Sequence, residues 1–177
     1  MTEPLVNLPT VSQPAPAPGS RAGRDFLWLV LPAVAGLVVG LLWWLMAPGG
    51  LNLISGNPDL SNPDNPSSWL PRDLVLAALM LVAGCVVGLL LDGKLEGAAA
   101  RRRLVYALLG GVAGALTAWL TGLLAAQLWG PSPNPSLGPG YGFTLRSYAV
   151  LLLWTGATSF VTFVLSLFGV LSKKPVK

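Results

Sequence analysis

Four apolar runs, at residues 26–47, 74–91, 104–128 and 147–171, contain no Asp, Glu, Lys, Arg or His. A helix rising about 1.5 Å per residue needs roughly 20 residues to cross a hydrocarbon core about 30 Å thick, and every run is close to that length or longer. A helix satisfies its own backbone hydrogen bonds, so the pattern predicts an all-α integral membrane protein built as a bundle of four transmembrane helices. Only 10% of residues are charged, against about 25% in soluble domains, so water is not the solvent this chain is built for. The boundaries expected are a Pro-rich, disordered tail at 1–25, a single transmembrane domain at 26–172 and a basic tail at 173–177. They leave no length for a separate soluble catalytic domain.

Charge sorting supplies the orientation. Arg21 and Arg24 precede the first run, Lys94, Arg101, Arg102 and Arg103 lie between the second and third, and Lys173, Lys174 and Lys177 follow the fourth. By the positive-inside rule both termini and the 92–103 loop are expected in the cytoplasm, with loops 48–73 and 129–146 outside. Arg72 and Arg146 are the only basic residues on the outer side, among Asp59, Asp64 and Asp73. Because the basic residues sort by membrane side rather than forming one patch, no nucleic-acid partner is expected. The partners expected are the lipid bilayer and either a membrane protein or a second copy of the chain.

Pro4, Pro9, Pro14, Pro16 and Pro18 keep the first residues out of a helix. A secretory signal would begin nearer Met1 and have a shorter apolar core, so the first span is expected to be retained. Pro32 lies inside that span and predicts a kink. The segments 34–42 and 82–90 match at eight of nine positions and place the pairs Gly36/Gly40 and Gly84/Gly88 four residues apart. Such pairs make a shallow groove into which another helix backbone fits. The echo reads either as an ancient duplication or as convergence of Val, Gly and Leu on one packing device.

At about 100° per residue, Ala107, Gly110, Gly114, Thr117, Thr121 and Ala125 share one face of the third span. Thr155, Thr158, Ser159, Thr162 and Ser166 share one face of the fourth. Both stripes are expected to look into the bundle, as a hydroxyl-lined passage or, more simply, as packing faces whose hydroxyls bond the carbonyl four residues back. Trp28 and Tyr106 are placed at the inner boundary, and Trp43, Trp44, Trp69, Trp129 and Tyr148 at the outer one. Trp119 and Trp154 lie deeper, each bordering a lipid, a quinone or a partner helix, with the lipid-facing position the favoured reading.

The groups that carry most enzyme chemistry are missing. The chain has no histidine and a single cysteine, Cys85, in mid-span, where a thiol is inert packing. No carboxylate interrupts a span, which counts against proton-coupled transport. Gly140-Tyr141-Gly142 resembles a potassium-channel filter, but Pro131, Pro133 and Pro135 preclude the pore helix that should precede it. Asn57-Pro58-Asp59, Asn62-Pro63-Asp64 and Asn65-Pro66 read as turns, because the Asn side chain mimics a backbone turn and proline fixes the next φ. Their oxygens lack the spacing and terminal Glu of an EF-hand. Asp73 is expected to cap the second span. Arg72 and Arg146 are expected to reach headgroups, pair with the outer Asp residues or, with Asp73, hold an anionic ligand at the outer rim. No catalytic residue, metal or cofactor is expected.

Three segments together resemble a family. They are Gly40-Leu41-Leu42-Trp43-Trp44-Leu45-Met46-Ala47-Pro48, the pair Ala118-Trp119 with Trp129-Gly130-Pro131, and Arg146-Ser147-Tyr148-Ala149-Val150-Leu151-Leu152-Leu153-Trp154. They are similar to an uncharacterised actinobacterial family of four-span membrane proteins. The resemblance implies a Gram-positive plasma membrane and, since the family carries a domain of unknown function, no activity. The leading expectation is a non-enzymatic accessory or assembly subunit of an envelope or transport complex, joined through its glycine grooves. The alternative is a small carrier or binding protein for a lipid or hydrophobic ligand, and the third reading is an envelope enzyme using Asp59, Asp64 and Asp73.

Overall fold

The structure, a computed structural model, describes residues 19–62, 65–94, 99–131, 134, 136 and 142–172. Helix α1 spans Gly19–Met46, the single turn α2 Pro58–Ser61, α3 Trp69–Leu90, α4 Ala100–Trp129 and α5 Leu153–Ser172. No strand occurs among the described residues. Four helical stretches, Asp25–Met46, Trp69–Leu90, Ala100–Trp129 and Tyr148–Leu171, are long and apolar enough to cross a membrane. The outlying tails 1–18 and 173–177, the Pro63-Asp64 pair and Gly140-Tyr141 lie outside the described residues.

Several boundaries differ from expectation for identifiable reasons. The first span, Asp25–Met46, starts where expected, but its helix extends back to Gly19 into the expected tail, because no proline follows Pro18 until Pro32. Pro32 sits inside that continuous helix and removes the N–H that would bond the Trp28 carbonyl. Gly110 packs directly onto that carbonyl, where a Cβ would collide with it, so a Cα–H can approach instead. Helix α3 begins at Trp69, five residues earlier than expected. Pro71 is tolerated there because a first-turn residue has no intrahelical acceptor to satisfy. The fourth span opens as a 3-10 turn over Tyr148–Leu152 before becoming α-helical.

Around the bundle the order is α1, α4, α5, α3, with α1 packed chiefly on α4 and α3 chiefly on α5. The two echoed segments do equivalent jobs in these two pairs. A Cβ at Gly36 or Gly40 would strike Gly114, Thr117, Ala118 or Thr121 of α4, and one at Gly84 or Gly88 would strike Trp154, Ala157 or Val161 of α5. Each seam carries one threonine bonded across it. Thr117 donates to the Ala33 carbonyl at 2.8 Å and Thr158 to the Gly84 carbonyl at 3.0 Å.

Trp43, expected at the outer boundary, and Trp154, expected deeper and facing lipid, are both core residues. Trp154, 1% exposed, rests on Gly111 and Gly114, and Trp43, fully buried, rests on Gly122. Glycines on α4 create the space that a ring from a distant segment fills, so neither indole faces lipid or headgroup.

Candidate functional site

The polar groups collect at the two ends of the bundle, and the end that carries Arg72 is the more elaborate. After α1, Gly49 takes φ +81° and lies against the Arg72 guanidinium, a close approach that a side chain would obstruct. Asn57 accepts the Asp59 N–H at 3.0 Å and caps α2, while Asn65 accepts the Ser67 N–H at 2.9 Å and caps the 3-10 turn Pro66–Ser68. In both, proline follows the cap at the first helical position, where its missing N–H costs nothing. Asn65 also donates to the Asp59 carbonyl, and Gly49 N–H to the Leu60 carbonyl at 3.1 Å, which folds this loop onto itself.

Arg72 is the centre of that end. It is 3% exposed, and its guanidinium donates from Nε to the Pro48 carbonyl (3.0 Å), from Nη1 to the Gly142 and Thr144 carbonyls, and from Nη2 to Ser68 Oγ (2.8 Å). Its own carbonyl accepts the Trp43 indole N–H at 3.0 Å. The Phe143 ring lies 5.4 Å from the guanidinium carbon and 4.5 Å from the Trp43 ring. The planar fork therefore ties the end of α1, the start of α3 and the segment before α5 into one cap. Most of its donors are spent on the chain's own oxygens, and it forms no ion pair with Asp59 among the described residues.

Asp73 does not cap α3, because α3 already begins at Trp69 and Asp73 lies in its second turn. Its Oδ2 accepts the backbone N–H groups of Arg146 (3.2 Å) and Ser147 (2.8 Å), so it satisfies the start of the fourth span instead. Asp73 Oδ1 is buried without a partner among the described residues. The Arg146 side chain is exposed and lies over the Trp69 ring at 5.8 Å. The structure thus brings Arg72, Asp73 and Arg146 together, but as a loop-organising cluster in which Arg146 alone remains open.

The hydroxyl stripe of the fourth span divides. Thr158 and Thr162 are buried, Thr162 bonding the Thr158 carbonyl at 2.9 Å. Ser159 and Ser166 are exposed, contrary to the expectation that the whole stripe looks inward. The seam with α3 centres on Trp154, Ala157, Thr158 and Val161, leaving Ser159 and Ser166 outside. Ser159 bonds the Thr155 carbonyl at 2.9 Å, and Thr155 Oγ1 is buried with no partner among the described residues. On α4 the expected face does meet α1: Ala107, Gly110, Gly114 and Ala125 are buried, with Thr117 and Thr121 half-buried.

Sequence reasoning missed the opposite end, where Asp25 lies. Asp25, 2% exposed, lies between Arg102 and Arg103 of α4, with its Oδ1 2.8 Å from Arg103 Nε and its Oδ2 accepting from both Nε and Nη2 of Arg102. Arg103 Nη1 also donates to the Lys94 carbonyl at 2.8 Å, and the Lys94 ammonium lies 5.0 Å from the Trp28 ring centre. Gly93, at φ +67°, makes the turn after α3 that brings Lys94 there. The available signal was a lone carboxylate immediately before one span and three arginines opening another on the same side. Two surface hollows accompany these elements. One, of about 350 Å³, is an apolar groove between α1 and α4 bordered by Leu37, Leu41, Leu124, Leu128 and Trp129. The other, of about 380 Å³, is lined by Arg101, Arg102, Val105 and Tyr106. Comparison with protein-family models, curated proteins and solved structures finds no match for this chain.

Proposed function

We propose that the chain is a non-enzymatic, multi-pass subunit of the plasma membrane, with both termini cytoplasmic, that works by assembling with itself or with a larger envelope or transport machine. The supporting observation is the outer face of α5. Gly156, Ser159, Phe163, Ser166 and Val170 fall within one arc at about 100° per residue, and all are exposed. They lie opposite Trp154, Ala157, Thr158 and Val161, which contact the rest of the bundle. A Cβ at Gly156 would meet nothing within 4 Å. Small residues let helix backbones approach closely in a membrane, and Gly156, Ser159 and Ser166 are exposed small residues on this face. The Gly36/Gly40 and Gly84/Gly88 grooves, by contrast, are filled within the chain, so assembly through α5 is the reading best supported.

The orientation rests on the sorting of basic residues, and the plasma-membrane location on the resemblance to the actinobacterial family. Crosslinking in native membranes and mass measurement in native lipid particles test the assembly. A species larger than the monomer is expected, lost when Gly156→Leu and Ser159→Leu are combined. Detection of an isolated monomer alone would overturn the reading. Reporter fusions at each terminus should both report the cytoplasm.

A further inference from the structure

The geometry points to a binding site for an anionic phospholipid at the hollow formed by Arg101, Arg102, Val105 and Tyr106. Three independent features converge there. The first is surplus positive charge held in place. Asp25 engages Nε and Nη2 of Arg102, which fixes that guanidinium while leaving its Nη1 donors without a partner among the described residues. The Arg102 side chain stays 50% exposed. Arg101, one residue earlier, is exposed and makes no ion pair or hydrogen bond among the described residues, and the same holds for hydrogen bonding by the Tyr106 hydroxyl.

The second feature is shape. The hollow measures about 380 Å³ and is lined by Arg101, Arg102, Val105 and Tyr106. Two non-bridging oxygens of a phosphodiester match the paired N–H donors of a guanidinium, so a phosphate is the anion such a pocket fits. The third is continuity with an apolar lane. Arg101, Val105, Leu109, Val112 and Leu116 share one exposed arc of α4, with Val105 at 45% and Leu109 at 51% exposure. A headgroup at Arg101 and Arg102 therefore continues into acyl chains along Val105, Leu109 and Val112. A free phosphate would leave that lane unused. Basic pockets beside transmembrane helices are a recognised mode of holding anionic headgroups.

This inference is independent of the assembly proposed through α5. Its test uses the full-length protein in nanodiscs of phosphatidylcholine with a minor share of phosphatidylglycerol, and counts the lipids retained on release into the gas phase. Phosphatidylglycerol should be enriched over its share in the disc. Arg101→Gln should cut the enrichment about fivefold, equivalent to the roughly 1 kcal/mol one Arg contributes at an anionic surface. Arg101→Lys should keep most of it, and Val105→Trp, which fills the hollow without altering charge, should reduce it as well. Arg146→Gln, at the opposite end, should leave it unchanged. Arg101 and Val105 are exposed, so unfolding midpoints should match the unsubstituted protein. Equal retention of both lipids, enrichment that survives Arg101→Gln and Val105→Trp, or an equal loss with Arg146→Gln would each overturn the site. Displacement of the lipid by soluble glycerol phosphate would overturn its assignment to a phospholipid.

Discussion

At the scale of single residues, Arg72 decides how its end of the bundle is built. A buried guanidinium is costly unless its donors are satisfied, and here carbonyls from two loops and the Ser68 hydroxyl satisfy most of them. Removing it leaves those carbonyls buried without donors. Arg72→Gln is therefore expected to lower stability by about 3 kcal/mol, and Arg72→Lys by about 2 kcal/mol, since an ammonium keeps the charge but cannot reproduce the fork. Arg146→Gln, at an exposed side chain, should change stability by less than about 0.5 kcal/mol. Equilibrium unfolding in mixed micelles measures all three, and an Arg72 variant as stable as the Arg146 variant would contradict the assignment of Arg72 as the organiser of the cap. In the same cluster, Trp43→Phe keeps an aromatic ring on Gly122 but loses the N–H bond to the Arg72 carbonyl. That substitution should cost about 1 kcal/mol by the same measurement.

At the scale of elements, the two echoed segments create two seams of the same design. Overpacking a close seam costs about 1–3 kcal/mol, because backbone must move to admit the new atoms. Gly40→Ala and Gly84→Ala should each fall in that range, since the new methyl would meet the Ala118 carbonyl in one case and the Trp154 carbonyl in the other. Gly156→Ala meets open space and should be neutral or stabilise by about 0.5 kcal/mol, as Ala is the better helix former. Equal losses at all three positions, in unfolding measurements on the monomer, would refute the division between filled and open faces. The grooves and small-residue faces were legible in the sequence because they depend only on spacing along one helix. Which helix fills each groove was not, because a 3.6-residue period gives a direction and no neighbour. The same gap misplaced Trp43 and Trp154. Their pockets are made by Gly122, Gly111 and Gly114, which no local pattern connects to them. It also split the α5 stripe, since a hydroxyl that bonds its own helix can face either way, as Ser159 does.

At the scale of the whole molecule, two helix pairs are fastened at opposite ends by different polar devices. Asp25 with Arg102 and Arg103 joins α1 to α4 at one end, and Arg72 with the loop carbonyls joins α1, α3 and the segment before α5 at the other. The sequence signal for the Asp25 contact was weak for a physical reason: a carboxylate beside a basic tail reads as solvated, and only the packing of α1 on α4 sets it between two arginines. Both fasteners lie outside the apolar seams, which hold the middle of the bundle through Gly36, Gly40, Gly84 and Gly88. Opening one end should therefore not open the other, since local stability follows local contacts. Hydrogen exchange on the protein in nanodiscs tests this. Asp25→Asn leaves two arginines facing each other without their shared carboxylate, and should raise exchange in residues 19–31 and 99–106 while leaving 48–60 and 142–150 as they were. Arg72→Gln should produce the reverse pattern. The central stretches 34–42 and 110–118 should stay protected in both variants, because their contacts are backbone against glycine and owe nothing to either charge. Exchange that rises throughout the chain in either variant would mean that the ends and the seams open as one cooperative unit, and would refute the separation of fasteners from core.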